Sequence, residues 1–156
     1  VSLAPDVPAV LADSSQVEQV LTNFIINAVD ALASQPQPRL RVSTGVARPA
    51  DLLAQARSAG WTARLAPSVG DAFLDSPAVF AAVRDTGPGV DAAALNEVFE
   101  AFYTTKDEDR GTGLGLAISR TIAAAHQGAI LAASACGAGA SFSLLLPYPP
   151  RSQMHG

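Results

Sequence analysis

The chain is short of several things on which a function could rest. It has one cysteine, Cys136, so no intrachain disulfide can form, and a reducing compartment is the expectation. Charged residues make up only 15%, against about 25% in an ordinary globular domain. Alanine fills most of the shortfall rather than Ser, Gln or Glu, so the composition is not that of a disordered tail. No apolar run reaches the roughly 18 residues of a membrane-spanning helix. Positive charge is scarce too, with 10 Lys and Arg against 14 Asp and Glu and a net charge of −4. A general nucleic-acid binder needs a basic face to displace counterions, so nucleic acid is not an expected partner. The opening VSLAPDVPAV has neither an initiator methionine nor a basic n-region. A secretory signal is therefore not expected, and a piece of a longer chain is. What remains is 156 residues that are 49% hydrophobic, enough for one domain with its own core.

Residues 7–12 are apolar around Pro8 and read as a short edge strand. Asp13, Ser14 or Ser15 can cap a helix running from about Ser14 to Ser34, with Glu18 near the capping-box position. Val17, Leu21, Phe24, Ile25, Ala28 and Leu32 recur at helical spacing and form its apolar arc. Pro36 and Pro38 end it. Strands are expected at Arg39–Ala47 and Val79–Arg84. The stretch between them is the least legible, with a short helix expected at Ala50–Ala59. Asp85–Val90 is a turn, Asp91–Glu100 a short helix, and Leu114–Ala125 a helix behind a glycine-rich loop. Ala129–Ala135 and Ser141–Leu146 read as a hairpin.

Three features carry chemistry. The first is a polar stripe inside the first helix, where Asn23, Asn27 and Asp30 are spaced i, i+4, i+7. A solvated face normally carries Lys and Glu; this one carries amides, and asparagine is a mediocre helix former. Amide and carboxylate oxygens on one helix face can hold a hard cation such as Mg²⁺, alongside phosphates and water. The second is Asp85-Thr86-Gly87-Pro88-Gly89 directly after an apolar strand. A carboxylate there can accept from an exocyclic amine, although such a sequence is also a plain turn. The third is Gly111-Thr112-Gly113-Leu114-Gly115-Leu116 opening a helix, where backbone N–H groups can meet an anion. It is neither a P-loop nor a dinucleotide fingerprint, and alone it is weak evidence.

The order of all three along one chain is far more specific. QVEQVLTNFIINAVDAL, DTGPG, VFEAFYTTK and GTGLGLAISR resemble the asparagine, first glycine, phenylalanine and second glycine boxes of bacterial sensor histidine kinases. GAGASF at 137–142 is similar to their last glycine box. The resemblance covers the chain from about Pro8 to Leu146. It implies the Bergerat ATP-binding fold, also found in type II topoisomerases: a two-layer α/β sandwich, with a mixed sheet covered by helices on one face. One ATP-binding catalytic domain is expected over residues 1–147, with an insertion at about 48–77 and a tail from 148. By position, the resemblance implies Mg²⁺ coordination by Asn27, with Asn23 near the phosphates and Asp30 flanking the nucleotide. It implies that Asp85 accepts from the adenine amine, aided by Ser141 and a water, with Gly87 and Gly89 shaping the adenine-side turn. Gly111, Thr112, Gly113, Leu114, Gly115 and Leu116 would form the phosphate-side loop, with Thr105, Lys106 and Arg110 beside it. Phe99 and Phe102 would pack the lid.

Three readings compete: a kinase domain serving a histidine elsewhere, an ATPase that activates water itself, and a nucleotide-sensing or partner-binding module. Hydrolytic relatives place a glutamate one turn before the metal-binding asparagine as general base. Here that position is Asn23, which cannot take a proton. The chain holds only His126 and His155, and neither has the acidic neighbour of a phosphoacceptor. His126 reads as a helix-end capping residue. The resemblance therefore implies the catalytic half of a kinase, with ATP and Mg²⁺ as cofactors. Its implied partner is a dimerisation and histidine-phosphotransfer domain, with a response regulator reached indirectly. A cytoplasmic location without membrane contact is expected for this domain, whether or not the parent protein is membrane-anchored.

Overall fold

Asp13 starts the first helix by taking the Gln16 backbone N–H on Oδ1 at 3.1 Å. The helix, α1, runs Ser14–Leu32 and buries Val20, Phe24 and Ala28, a four-residue repeat along one side. The computed structural model describes residues 1–104 and 113–148. After α1 come β1 (Leu40–Ala47), α2 (Pro49–Ser58), β2 (Thr62–Ala66), α3 (Asp71–Asp75) and β3 (Ala78–Asp85). Then follow α4 (Ala92–Glu97), α5 (Gly115–Ala125), β4 (Ala129–Ala135) and β5 (Gly139–Pro147).

The strands form one five-stranded sheet in the order β1-β3-β5-β4-β2, every neighbouring pair antiparallel. Among the described residues the parallel component of the expected mixed sheet is a single bridge, Ser2 to Ser43. Ser2 donates to the Val42 carbonyl at 2.8 Å and accepts from the Thr44 N–H at 3.1 Å. That bridge covers part of the β1 edge in place of the expected strand at 7–12, which has no regular structure. Pro8 removes a donor from that segment.

Because side chains alternate across a strand, the sheet has two distinct faces. On one, Val83, Ile130, Ala132, Phe142, Leu144 and Leu146 pack with α1, α4 and α5. The Phe142 ring meets those of Phe24 and Phe99 there, with centroids 5.7 Å and 6.4 Å away respectively. The sheet and these helices form the two α/β layers expected from the sequence, but helices are not confined to this face. The other face is not bare, as helices on one face alone would leave it. Ala78, Leu131, Ala133 and Leu145 pack against Leu52, Leu53 and Ala56 of α2, against Trp61, and against Phe73 of α3.

That second cluster comes from residues 48–77. β1 and β3 are register partners from Leu40↔Asp85 to Ala47↔Ala78, so the chain leaves and re-enters the sheet at adjacent places. In between it crosses the sheet, and β2 pairs with β4 on the far edge. The stretch expected as an insertion contributes a strand, two helices and most of one side of a core. No described helix is long and apolar enough to cross a membrane.

Candidate nucleotide site

The loop after β3, the β4–β5 turn and the helices α1 and α5 meet at one end of the front face. β3 ends in Asp85, buried with 4% of its surface exposed. Its Oδ1 takes the Gly87 N–H at 2.8 Å, and the Ala140 N–H also donates to the carboxyl. Burial pushes the Asp85 carboxyl above its ordinary value, and the two backbone donors pull part of the way back. A buried carboxylate held only by N–H groups keeps lone pairs for a further donor, the requirement for reading an exocyclic amine.

The loop after Asp85 is fastened on both sides. A Cβ on Gly87 would stand 2.9 Å from both the Ala31 Cβ and Asp85 Oδ1, so a bare backbone fits between the end of α1 and the carboxyl. Gly89, at φ +68°, lies under the β4–β5 turn, where a Cβ would come within 2.2 Å of the Ala135 carbonyl oxygen. The Gly137 N–H donates to the Pro88 carbonyl at 2.7 Å. Ser134 accepts from the Val90 N–H at 2.9 Å and donates to the Gly139 carbonyl at 2.7 Å.

α1 and α5 run antiparallel, and α5 is tied to α1 at both of its own ends. At one end His126 Nδ1 bonds the Ile122 carbonyl at 2.8 Å, and Nε2 accepts the Asp13 N–H at 3.1 Å. This is the expected helix-end duty of His126. At the other, Asn23 Nδ2 donates to the Gly115 carbonyl at 3.0 Å and to Ser119 Oγ at 3.1 Å. Asn27, one turn along, is half-buried; Asp30 is exposed. All three lie on the α1 stripe that the spacing predicted. No described side chain caps the start of α5, where Leu114 is the N-cap. Helix-start N–H groups of this kind suit an anion.

Other expected residues fall differently. Ser141 pairs across the sheet with Arg84 and Ala133, whereas Asp85 pairs with Ala140. Successive strand residues point to opposite faces, so Ser141 lies on the far side from the carboxyl. The backbone of Ala140 takes the place expected for the Ser141 hydroxyl. Leu116 packs against the front core and anchors α5. Phe99, expected to pack the lid, is buried in the front core, with the Arg64 guanidinium 5.5 Å from its ring centre. Phe102 is not packed; it is 75% exposed with a left-handed backbone at φ 65°. Its N–H donates to the Gly113 carbonyl at 2.9 Å. Thr105, Lys106, Arg110, Gly111 and Thr112 lie outside the described residues. Sequence reasoning missed Ser119, fully buried between α1 and α5. A serine inside the GTGLGLAISR motif, four residues after a helix-opening glycine, is the signal that could have found it.

The family described as "Histidine kinase-, DNA gyrase B-, and HSP90-like ATPase" matches residues 12–150. The chain belongs to it. Among curated relatives, the signal transduction histidine-protein kinase AtoS of Escherichia coli is 35% identical over 140 residues, covering 90% of this chain and 18% of AtoS. The sensor protein FixL of Bradyrhizobium diazoefficiens is 35% identical over 146 residues, covering 94% of this chain and 23% of FixL. The crystal structure of full-length ShkA in complex with AMPPNP matches with a TM-score of 0.64 and 29% identity, over 94% of this chain and 24% of ShkA. The chain thus spans less than a quarter of the length of these relatives.

Proposed function

We propose that this domain binds ATP with Mg²⁺ and donates the γ-phosphoryl group to a histidine on a separate dimerisation domain. Asn23 carries the reading. It stands one turn before Asn27, where a hydrolytic relative needs a glutamate to take a proton from water. Here the position holds an amide, and that amide is committed to Gly115 and Ser119. Nothing at this position can activate water, so the bound phosphate waits for a nucleophile from outside.

The donor chemistry fits the group. Among the described residues no cluster of three His, Cys, Asp or Glu could hold a metal. One amide oxygen, that of Asn27, completed by phosphate oxygens and water, is the kind of set Mg²⁺ accepts. When bound, the metal neutralises phosphate charge. Asp85 orients the base by accepting its amine, and the bare backbone of Gly87 lets the loop close on that carboxyl. The α5 N-terminus faces the anionic end. In the transfer, a lone pair on the incoming imidazole nitrogen forms the N–P bond while the β–γ bridging P–O bond breaks and ADP leaves. Positioning and charge neutralisation supply most of such catalysis. ShkA, 29% identical, was crystallised with AMPPNP, which supports an adenine nucleotide at the same place.

The test supplies the missing half. The purified chain should not label itself from ATP and should hydrolyse it very slowly. Adding a histidine-bearing dimerisation domain should yield an acid-labile, alkali-stable phosphohistidine on that domain. Rapid ATP turnover by the chain alone would replace the kinase reading with the ATPase one. Nucleotide binding with neither outcome would leave a sensing module. A response regulator is then the downstream partner, with no nucleic-acid or membrane contact from this domain.

A further inference from the structure

We infer that Ser119 is a positioning residue for the nucleotide site, acting through the carboxamide of Asn23. The inference rests on the proposed nucleotide reading. Ser119 is 0% exposed, and it is one of the few fully buried polar side chains in the described chain. Its hydroxyl is fully engaged: it donates to the Gly115 carbonyl at 2.8 Å and accepts from Asn23 Nδ2 at 3.1 Å. Asn23 Nδ2 also reaches the Gly115 carbonyl, at 3.0 Å. The three groups close a triangle, and the NH₂ end of Asn23 is held within it.

The triangle decides which end of the amide faces the cleft. Reversing it would press Oδ1 against the Gly115 carbonyl oxygen, acceptor against acceptor, and would leave Ser119 without a donor. Oδ1 is therefore the end that Asn23 has to offer. Gly115 keeps that end clear: a Cβ there would stand 3.5 Å from Asn23 Cγ and 3.7 Å from Oδ1, in contact with the amide it would then shield. Asn23 thus presents an acceptor to a metal-bound water or to the N–H of an incoming imidazole. The hydroxyl of Ser119 fixes that polarity without approaching the ligand. The same triangle ties the opening turn of α5 to α1, so the phosphate-facing N–H groups and the Asn23–Asn27 stripe share one frame.

Two measurements test this. In the ¹⁵N spectrum of the nucleotide-free chain, the Asn23 side-chain amide protons should exchange slowly with solvent, and Ser119→Ala should speed them. In binding titrations with a non-hydrolysable ATP analogue and Mg²⁺, Ser119→Ala should weaken affinity by about tenfold, the loss of one such supporting bond. Ser119→Thr, which keeps the hydroxyl, should restore most of it. In an Asn23→Ala background, Ser119→Ala should cost nothing further, because the effect passes through Asn23. An undiminished loss in that background would overturn the proposal, as would fast amide exchange in the unmodified chain. If Ser119→Ala does not fold, the exchange rate of the unmodified chain and the Ser119→Thr titration decide. An unmodified chain that binds no analogue overturns the nucleotide reading itself. Bound analogue with an unprotected Asn23 amide overturns only the role of Ser119.

Discussion

The two faces of the sheet are built from the same strands and differ in almost everything else. On the front, β3 and β5 send Val83, Asp85, Ala140, Phe142 and Leu144 toward α1 and α5. A large apolar core runs directly into a buried carboxyl and an amide stripe. On the back, the intervening positions Ala78, Phe80 and Leu145 meet α2, Trp61 and α3. That cluster is smaller, and Asp85, Asn23 and Asn27 all lie away from it. A strand therefore serves two purposes by alternation: one parity of residues supports chemistry, the other supports only packing. The front must hold donors and acceptors where a ligand needs them, whereas the back need only exclude water.

The sharpest way to break this division is at Asp85. Asp85→Ala should lower ATP affinity by about a hundredfold or more and erase discrimination against GTP, since a site built around a hydrogen bond rejects what lacks it. Equal competition by GTP in the unmodified chain would show that Asp85 does not read the base. Next comes Asn27→Ala, expected to leave the fold intact and to cost roughly tenfold to a hundredfold in analogue affinity, with the Mg²⁺ dependence lost. Calorimetry with and without the metal checks it. On the back face, Leu145→Ala should do the reverse. It removes a fully buried side chain and should cost about 2–5 kcal/mol of stability. The folded fraction should keep its affinity, measured by combining denaturant unfolding with titration.

A subtler separation uses pH. The raised pKa of Asp85 means the buried carboxyl holds its proton to a higher pH than an unfolded one. Its contribution to stability is therefore largest below the unfolded value and is lost as pH rises through the folded pKa. Nucleotide binding has the opposite sign, because the ionised form is the better acceptor. Analogue affinity should fall on acidification at a pH above the ordinary carboxylate range, and that fall should vanish in Asp85→Ala. The smallest effect is expected at the back-face pair Arg84 and Trp61, whose guanidinium carbon sits 4.5 Å from the ring centre. Arg84→Gln should cost only about 0.5–1 kcal/mol of stability and leave affinity unchanged.

The front was largely legible in the sequence; of the back only α2 was, expected at Ala50–Ala59 and found at Pro49–Ser58. α1, β1, β3 and α5 carry long periodic patterns or ordered motifs, and those patterns record one buried side. Even there the arc was misjudged. Ile25 belongs to the helical spacing of Phe24 and Ala28 yet is 39% exposed, because α1 is rotated to seat Val20, Phe24 and Ala28. β2 is five residues, TARLA, paired only at its β4 side. α3 is also five residues. Neither is long enough to show a period, and long-range pairing alone makes them regular. Ser141 was misplaced for a related reason. A hydroxyl in a glycine box suggests a ligand, but only the register with β3 says which face it occupies.

The route taken by residues 48–77 has a consequence for anyone who trims the molecule. Joining Ala47 to Ala78 by a short turn would restore a simple hairpin, because those residues are already partners. It would also strip β2 from β4. Ala129–Ser134, six consecutive buried residues, would become an uncovered sheet edge, with Phe80, Leu131 and Leu145 exposed beside it. An apolar, charge-free edge invites a second strand from another molecule. The shortened chain should self-associate into β-rich aggregates at concentrations where the full one stays dispersed, so the excursion acts as a guard on colloidal behaviour.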